Sequence, residues 1–101
     1  AKERLGKIAI MLKTNYPGYR IIIRGHTPPG GDEQENRKLS RQRSSAVVEF
    51  LIVSGQLNSN RLRAEGVGSD MPAKRKPNES SRAYNYRLSR VEFIAVSDDQ
   101  L

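Results

Sequence analysis

Tyr19-Arg20-Ile21-Ile22-Ile23-Arg24-Gly25-His26-Thr27-Pro28-Pro29-Gly30-Gly31-Asp32 is the stretch on which the fold turns. Its first six residues are rich in β-branched side chains and follow a turn signal, which predicts a strand over 19–24. Three consecutive isoleucines suggest apolar cover on both faces, as in a strand inside a parallel sheet. The Pro/Gly-rich residues 26–31 end that strand in a loop. Asp32, with Glu35 three residues on, has the spacing of a capping box with Asp as the cap. A long helix is therefore expected over 33–54, with Gly55 as its stop.

Working outward, Leu5, Ile8, Ala9 and Leu12 repeat at helical spacing and predict a helix over 2–14, closed by Tyr16-Pro17-Gly18. Downstream, 61–67 alternates Leu62 and Ala64 with charged neighbours and reads as a second strand. Residues 69–87 are polar and basic and read as a loop with room for one helical turn. Residues 91–96 make a final strand, and 98–101 a frayed tail. The strand-helix-strand in the middle predicts a right-handed crossover with parallel strands. The last strand fits either direction. The expectation is one domain over 1–97, of α+β class: a two-layer sandwich with a small mixed sheet and helices packed on one face.

Composition narrows the function. The chain has 101 residues, no cysteine and a formal net charge of +7. Without cysteine there is no disulfide, no thiolate catalysis and no cysteine-based zinc site. No apolar run is long enough to span a bilayer. The sequence opens inside a helical pattern, as a domain cut from a longer protein would, with an anchor or signal expected upstream. The positive charge attracts nucleic acid, anionic lipid or anionic polymer without choosing among them.

On a wheel turned about 100° per residue, Leu39, Ala46, Val47, Phe50 and Leu51 of the long helix form one apolar stripe. Arg43 falls near its middle, with Asn36 and Ser54 on the same side. A buried arginine needs a partner, because an unpaired charge costs several kcal/mol to desolvate. Either Arg43 pairs with an internal carboxylate or snorkels to solvent, or it is kept for a ligand carboxylate, which guanidinium binds bidentately. The loop at the carboxyl end of the first strand, next to a helix N-terminus, is a favourable place for such an anion.

The remaining candidates read mainly as structural. His26 is the single histidine, so it forms no metal cluster or triad, and its ring is expected to tie down the loop. Thr27 reads as a loop or cap hydroxyl. The glycines lack a following Gly-Lys-Ser/Thr, which argues against a nucleotide site. Lys74-Arg75-Lys76 is either a solvated run or a contact for anionic polymer, lipid or nucleic acid. Tyr84 and Tyr86 either cover the sheet or lie near a ligand. The tyrosines do not alternate as a single-strand nucleic-acid platform would.

The combined pattern resembles the OmpA C-terminal-like family, which includes domains of OmpA, Pal and MotB. Ile21-Ile22-Ile23-Arg24-Gly25-His26-Thr27 resembles the strand and turn that open its signature. Asn36, Leu39-Ser40 and Arg43 stand where the family has its Asn…Leu-Ser…Arg helix. Arg61-Leu62 with Gly66-Val67-Gly68 resembles its second strand, and Ser81-Arg82-Ala83 with Arg90-Val91-Glu92 its closing segment.

The resemblance implies a sheet of βαβαβ type backed by helices. It also implies a non-catalytic, cofactor-free periplasmic domain that anchors a membrane-attached envelope protein to peptidoglycan, possibilities including an outer-membrane protein and a MotB-type flagellar stator. In the family, an aspartate after Gly-His-Thr and the helix arginine clamp the ammonium and carboxylate of diaminopimelate in the stem peptide. Carried over, the arginine is Arg43, with Thr27 and Asn36 shaping the pocket and Arg90 nearby. The aspartate position is Pro28, which supplies no charge, and Asp32 or Glu33 would have to reach in instead. The closing segment also carries about three residues more than the family pattern between Asn85 and Arg90. The partner implied is the stem peptide. No nucleic acid is expected, and a membrane only through segments outside this chain. The alternative is a degenerate module that lacks the ligand aspartate and serves protein–protein assembly, as in a homodimer.

Overall fold

The apolar spacing at the start of the chain builds α1 (Lys2–Asn15), and the isoleucine run builds β1 (Arg20–His26). They are followed by α2 (Glu33–Val53), a 3₁₀ turn at Ser59–Arg61, β2 (Leu62–Gly66), α3 (Ser81–Leu88) and β3 (Arg90–Val96). The computed structural model describes residues 2–97. The expected tail at 98–101 lies outside them.

The sheet has the order β2-β1-β3. β1 pairs with β2 in parallel, from Ile21↔Leu62 to Gly25↔Gly66, as the crossover requires. β3 runs antiparallel, from Arg20↔Val96 to His26↔Arg90, which settles the direction that the sequence left open. This is the expected α+β sandwich with a mixed sheet. Ile21 and Ile23 point to the helix layer and form the core with Ala9, Leu12, Leu51 and Leu57. Ile22 points the other way, opposite Ile94 and Arg63, and is only half-buried. The expected apolar cover on both faces is therefore found on one: helices back one face, and the other carries the charged row Glu65–Arg24–Glu92. Within that row Arg24 Nε donates to Glu65 Oε1 (2.5 Å).

The ends of α2 follow the sequence in part. Asp32 caps the helix, its Oδ1 accepting from Gln34 N–H (2.8 Å). At the far end the left-handed residue is Gln56 (φ 58°), not Gly55. Gly55 is needed for space instead, since a Cβ there would lie 2.7 Å from Leu51 O and 2.8 Å from Ala9 Cβ. The expected loop over 69–87 holds more structure than one turn. Ser80 Oγ accepts from Ala83 N–H (3.1 Å) and starts the eight-residue α3, whose Leu88 is buried.

The face that α2 buries differs from the apolar stripe. Ser40, Ser44 and Leu51 are buried, whereas Leu39, Ala46 and Arg43 are exposed. The buried face is turned about 80° from the centre of the stripe at 100° per residue. The cause is close contact: a Cβ on Gly25 would lie 2.2 Å from Ser40 O, and one on Gly66 would lie 2.4 Å from Arg41 N. With the helix backbone lying directly on two glycines, only small side chains fit between. The serine hydroxyls tolerate burial because they donate back to the helix, Ser40 to Arg37 O (2.9 Å) and Ser44 to Arg41 O (3.0 Å).

Candidate functional site

The same close packing positions the carboxyl ends of β1 and β2. Ser40 Oγ also accepts from Gly68 N–H (3.0 Å), and Gly68 O accepts from Thr27 N–H (2.9 Å). The turn after β1, the exit of β2 and the first half of α2 are thus one hydrogen-bonded unit. Asn36 Nδ2 donates to Gly30 O (2.9 Å), and Ser69 Oγ donates to Glu33 Oε1 (2.7 Å), which fastens the loops on either side.

Arg43 is not buried, contrary to the wheel. The rotation of α2 moves it out of the sheet contact to an exposed position, where Nη1–H donates to Ser89 Oγ (2.8 Å). Among the described residues no carboxylate pairs with it. One of its five N–H donors is engaged, and the planar fork stays accessible. Ser89, which holds it, follows α3 directly. That partner was not predicted, because it lies 46 residues away in sequence with no motif to mark it.

Pro28 is half-buried next to Thr27. Asp32 and Glu33 are engaged in holding the frame: the first caps α2 and the second takes the hydrogen bond from Ser69. Asn36 acts as a loop tie through its bond to Gly30. Arg90 is likewise committed, with Nη2 donating to Met71 O (3.0 Å) and Nη1 to Leu88 O (3.2 Å), and with Glu92 3.8 Å away. Thr27 is 4 % exposed and its Oγ1 has no hydrogen-bond partner, so it is neither a cap nor a loop tie.

His26 ties down β3 rather than the loop. Its Nε2 is hydrogen-bonded to Glu92 Oε1, diagonally across the β1–β3 pair. Burial pushes the pKa of the ring below its ordinary value, and the Arg90 charge adds to this. The bond to Glu92 opposes it without reversing the direction. The neutral ring then donates from Nε2, leaving Nδ1 as a buried lone pair without a partner. The consequence for stability has a definite sign. As pH falls through 6.5, the unfolded chain takes up a proton at this histidine before the folded one does, so stability is full above that value and declines below it. Thermal melts are expected to show a lower Tm at pH 5 than at pH 7.5. The His26 Cε1–H resonance should titrate below pH 6.5, and titration at or above it would contradict this account.

No group of three or more His, Cys, Asp or Glu is arranged to hold a metal among the described residues, and no described helix is long and apolar enough to cross a membrane. What the site offers is an exposed guanidinium on a rigid frame, suited to an anion.

Comparison with known proteins gives a consistent picture. A model of the OmpA family matches residues 1–86. The peptidoglycan-associated lipoprotein of Legionella pneumophila is 37 % identical over 83 residues, which covers 82 % of this chain and 44 % of that protein. The peptidoglycan-binding protein ArfA of Mycobacterium tuberculosis is 33 % identical over 89 residues, 88 % of this chain and 27 % of its own length. The chain thus spans less than half of these relatives. Among solved structures, the C-terminal domain of Helicobacter pylori MotB is 25 % identical with a TM-score of 0.80, covering 96 % of this chain and 72 % of that one. The peptidoglycan-associated lipoprotein of Burkholderia pseudomallei, at 21 % identity, shares the fold with a TM-score of 0.74, covering 94 % of this chain and 76 % of that one.

Proposed function

Since the chain belongs to the OmpA family, we propose that it is a non-catalytic module that binds peptidoglycan in the periplasm as part of a membrane-attached envelope protein. The observation that carries this reading is Arg43: an exposed guanidinium at the family's arginine position, bonded to Ser89 and without a carboxylate partner among the described residues. A charged fork kept in place this way is set up for a carboxylate that arrives from outside. The carboxylate is that of a diaminopimelate-type stem peptide, with the buried Thr27 hydroxyl and the Asn36-tied loop forming the wall of the pocket. A flagellar-stator parent protein is the finer reading, favoured by the backbone likeness to the MotB domain. The test is co-sedimentation with purified peptidoglycan. The wild-type domain is expected in the pellet, and its absence there would sink the proposal.

Pro28 favours a second reading, in which the module has lost its ligand and serves assembly with another copy of itself. A titration with free diaminopimelate, followed by amide shifts around Thr27 and Arg43, separates the two when combined with sedimentation equilibrium. Shifts without a dimer support wall binding. A dimer without shifts supports assembly.

A further inference from the structure

The wall-binding reading leaves a strongly basic part of the chain unused. Residues 74–89 hold Lys74, Arg75, Lys76, Arg82 and Arg87 against one acid, Glu79, so five minus one gives +4 of the total +7. This segment is not a loose solvated run. Arg87 grips Glu79 with two bonds, Nε to Oε2 (2.7 Å) and Nη2 to Oε1 (2.8 Å). Glu79 also accepts from Lys76 N–H (3.0 Å). The Arg87 bonds first, and the Lys76 amide second, hold the Glu79 carboxyl at about 2. Tyr84 closes the lock: its hydroxyl donates to Ala73 O (2.8 Å), and the guanidiniums of Arg75 and Arg87 lie 5.6 Å and 5.8 Å from its ring centre.

Tyr86 is left outside this lock. It is 83 % exposed, an unusual cost for a large ring on a short, well-anchored helix. It stands one helical turn from Arg82, so the two side chains are neighbours on one face. With Ser80, Ala83 and Arg87 they line an open groove of about 500 Å³ over Glu79. One wall is an aromatic face and the other is cationic, while the only acid beneath is already neutralised by Arg87. Tyr86 and Arg87 lead directly into Leu88, which is buried.

We propose that this groove is a second contact site for the wall, taking the glycan strand rather than the stem peptide. A sugar ring lays its C–H face on Tyr86, and a strand carboxylate, such as a lactyl group freed of its peptide, pairs with Arg82. Glycan suits the groove better than nucleic acid, because one free ring flanked by a hydroxyl is not a run of stacking positions. The inference rests on the wall-binding reading but uses different residues, so the two fail separately.

The experiment titrates the domain with peptide-free glycan strands, prepared by amidase digestion of cell wall, and follows amide shifts. Shifts are expected at 82–87, with binding weakened about five- to tenfold in Tyr86→Ala, the scale of an exposed aromatic contact. Tyr86→Phe should retain binding and Arg82→Ala should lose it. Arg43→Ala should bind strands as the wild type does. Because Tyr86 is exposed, its removal leaves the fold intact, as circular dichroism can verify. Equal affinity in Tyr86→Ala overturns the proposal. So does displacement of the strands by poly-dT at matched charge, which would make the surface a general polyanion site. If strands bind but stem peptide does not, the Arg43 reading falls and the groove stands. If stem peptide binds but strands do not, the groove falls.

Discussion

Gly25→Ala is expected to destabilise the domain by about 3 kcal/mol, at the upper end of the cost of overpacking. For a domain of this size that lowers Tm by more than about 10 °C. The added methyl would lie 2.2 Å from Ser40 O and 2.9 Å from Ser40 C, both backbone atoms of α2. No rotamer change relieves such a contact. The helix must lift off the sheet, which breaks the bond from Gly68 N–H to Ser40 Oγ and opens the core around Ile23. Gly18→Ala is the control: nothing lies within 4 Å of a Cβ there, so it should stay within about 0.5 kcal/mol of wild type. Urea denaturation of both variants measures the difference. Similar midpoints for the two would show that α2 does not sit on the strand as closely as described.

Arg43→Ala is expected to weaken binding of a diaminopimelate-containing stem peptide by about 10- to 100-fold, the range of a lost hydrogen-bonded charge contact. Stability should hardly change, because Arg43 is exposed and its one bond, to Ser89, is at the surface. Arg43→Lys keeps the charge but not the planar fork and should fall between the two. Pro28→Asp tests the other half of the clamp. It restores a carboxylate at the family's position and should raise affinity by about tenfold by engaging the ligand ammonium. Calorimetric titration of the four proteins with the same peptide decides the matter. Undiminished affinity in Arg43→Ala would remove this arginine from the site.

The fold was largely legible, and the reasons are local. The Ile21–Ile23 run and the breakers on either side mark the strand that became the centre of the sheet. The cap at Asp32 depends on neighbours two residues away. The crossover between β1 and β2 then follows from chain handedness. The α3 helix was underestimated because its stability comes from Glu79–Arg87 and Tyr84–Ala73, contacts that span 8 and 11 residues and leave no apolar period.

The candidate site was legible only in its membership. Family spacing points to Thr27, Pro28, Asn36, Arg43 and Arg90, but it does not say that Asn36 and Arg90 are spent on holding loops or that Ser89 holds Arg43. Ser40 and Ser44 show why. A periodicity argument assumes that the buried side of a helix is its most apolar side, which holds when side chains fill the gap between layers. Here Gly25 and Gly66 remove the gap, so small side chains fill the buried side, and the helix turns the Leu39–Arg43–Ala46 edge of its apolar stripe toward solvent while Leu51 stays in the core. The sequence by itself determined α1, α2, the three strands, their order and the family, because those rest on short-range propensity and spacing. Only the tertiary structure decided which face α2 presents, and with it whether Arg43 is a buried charge or an open hand, because that depends on the distance between two backbones brought together from opposite ends of a crossover.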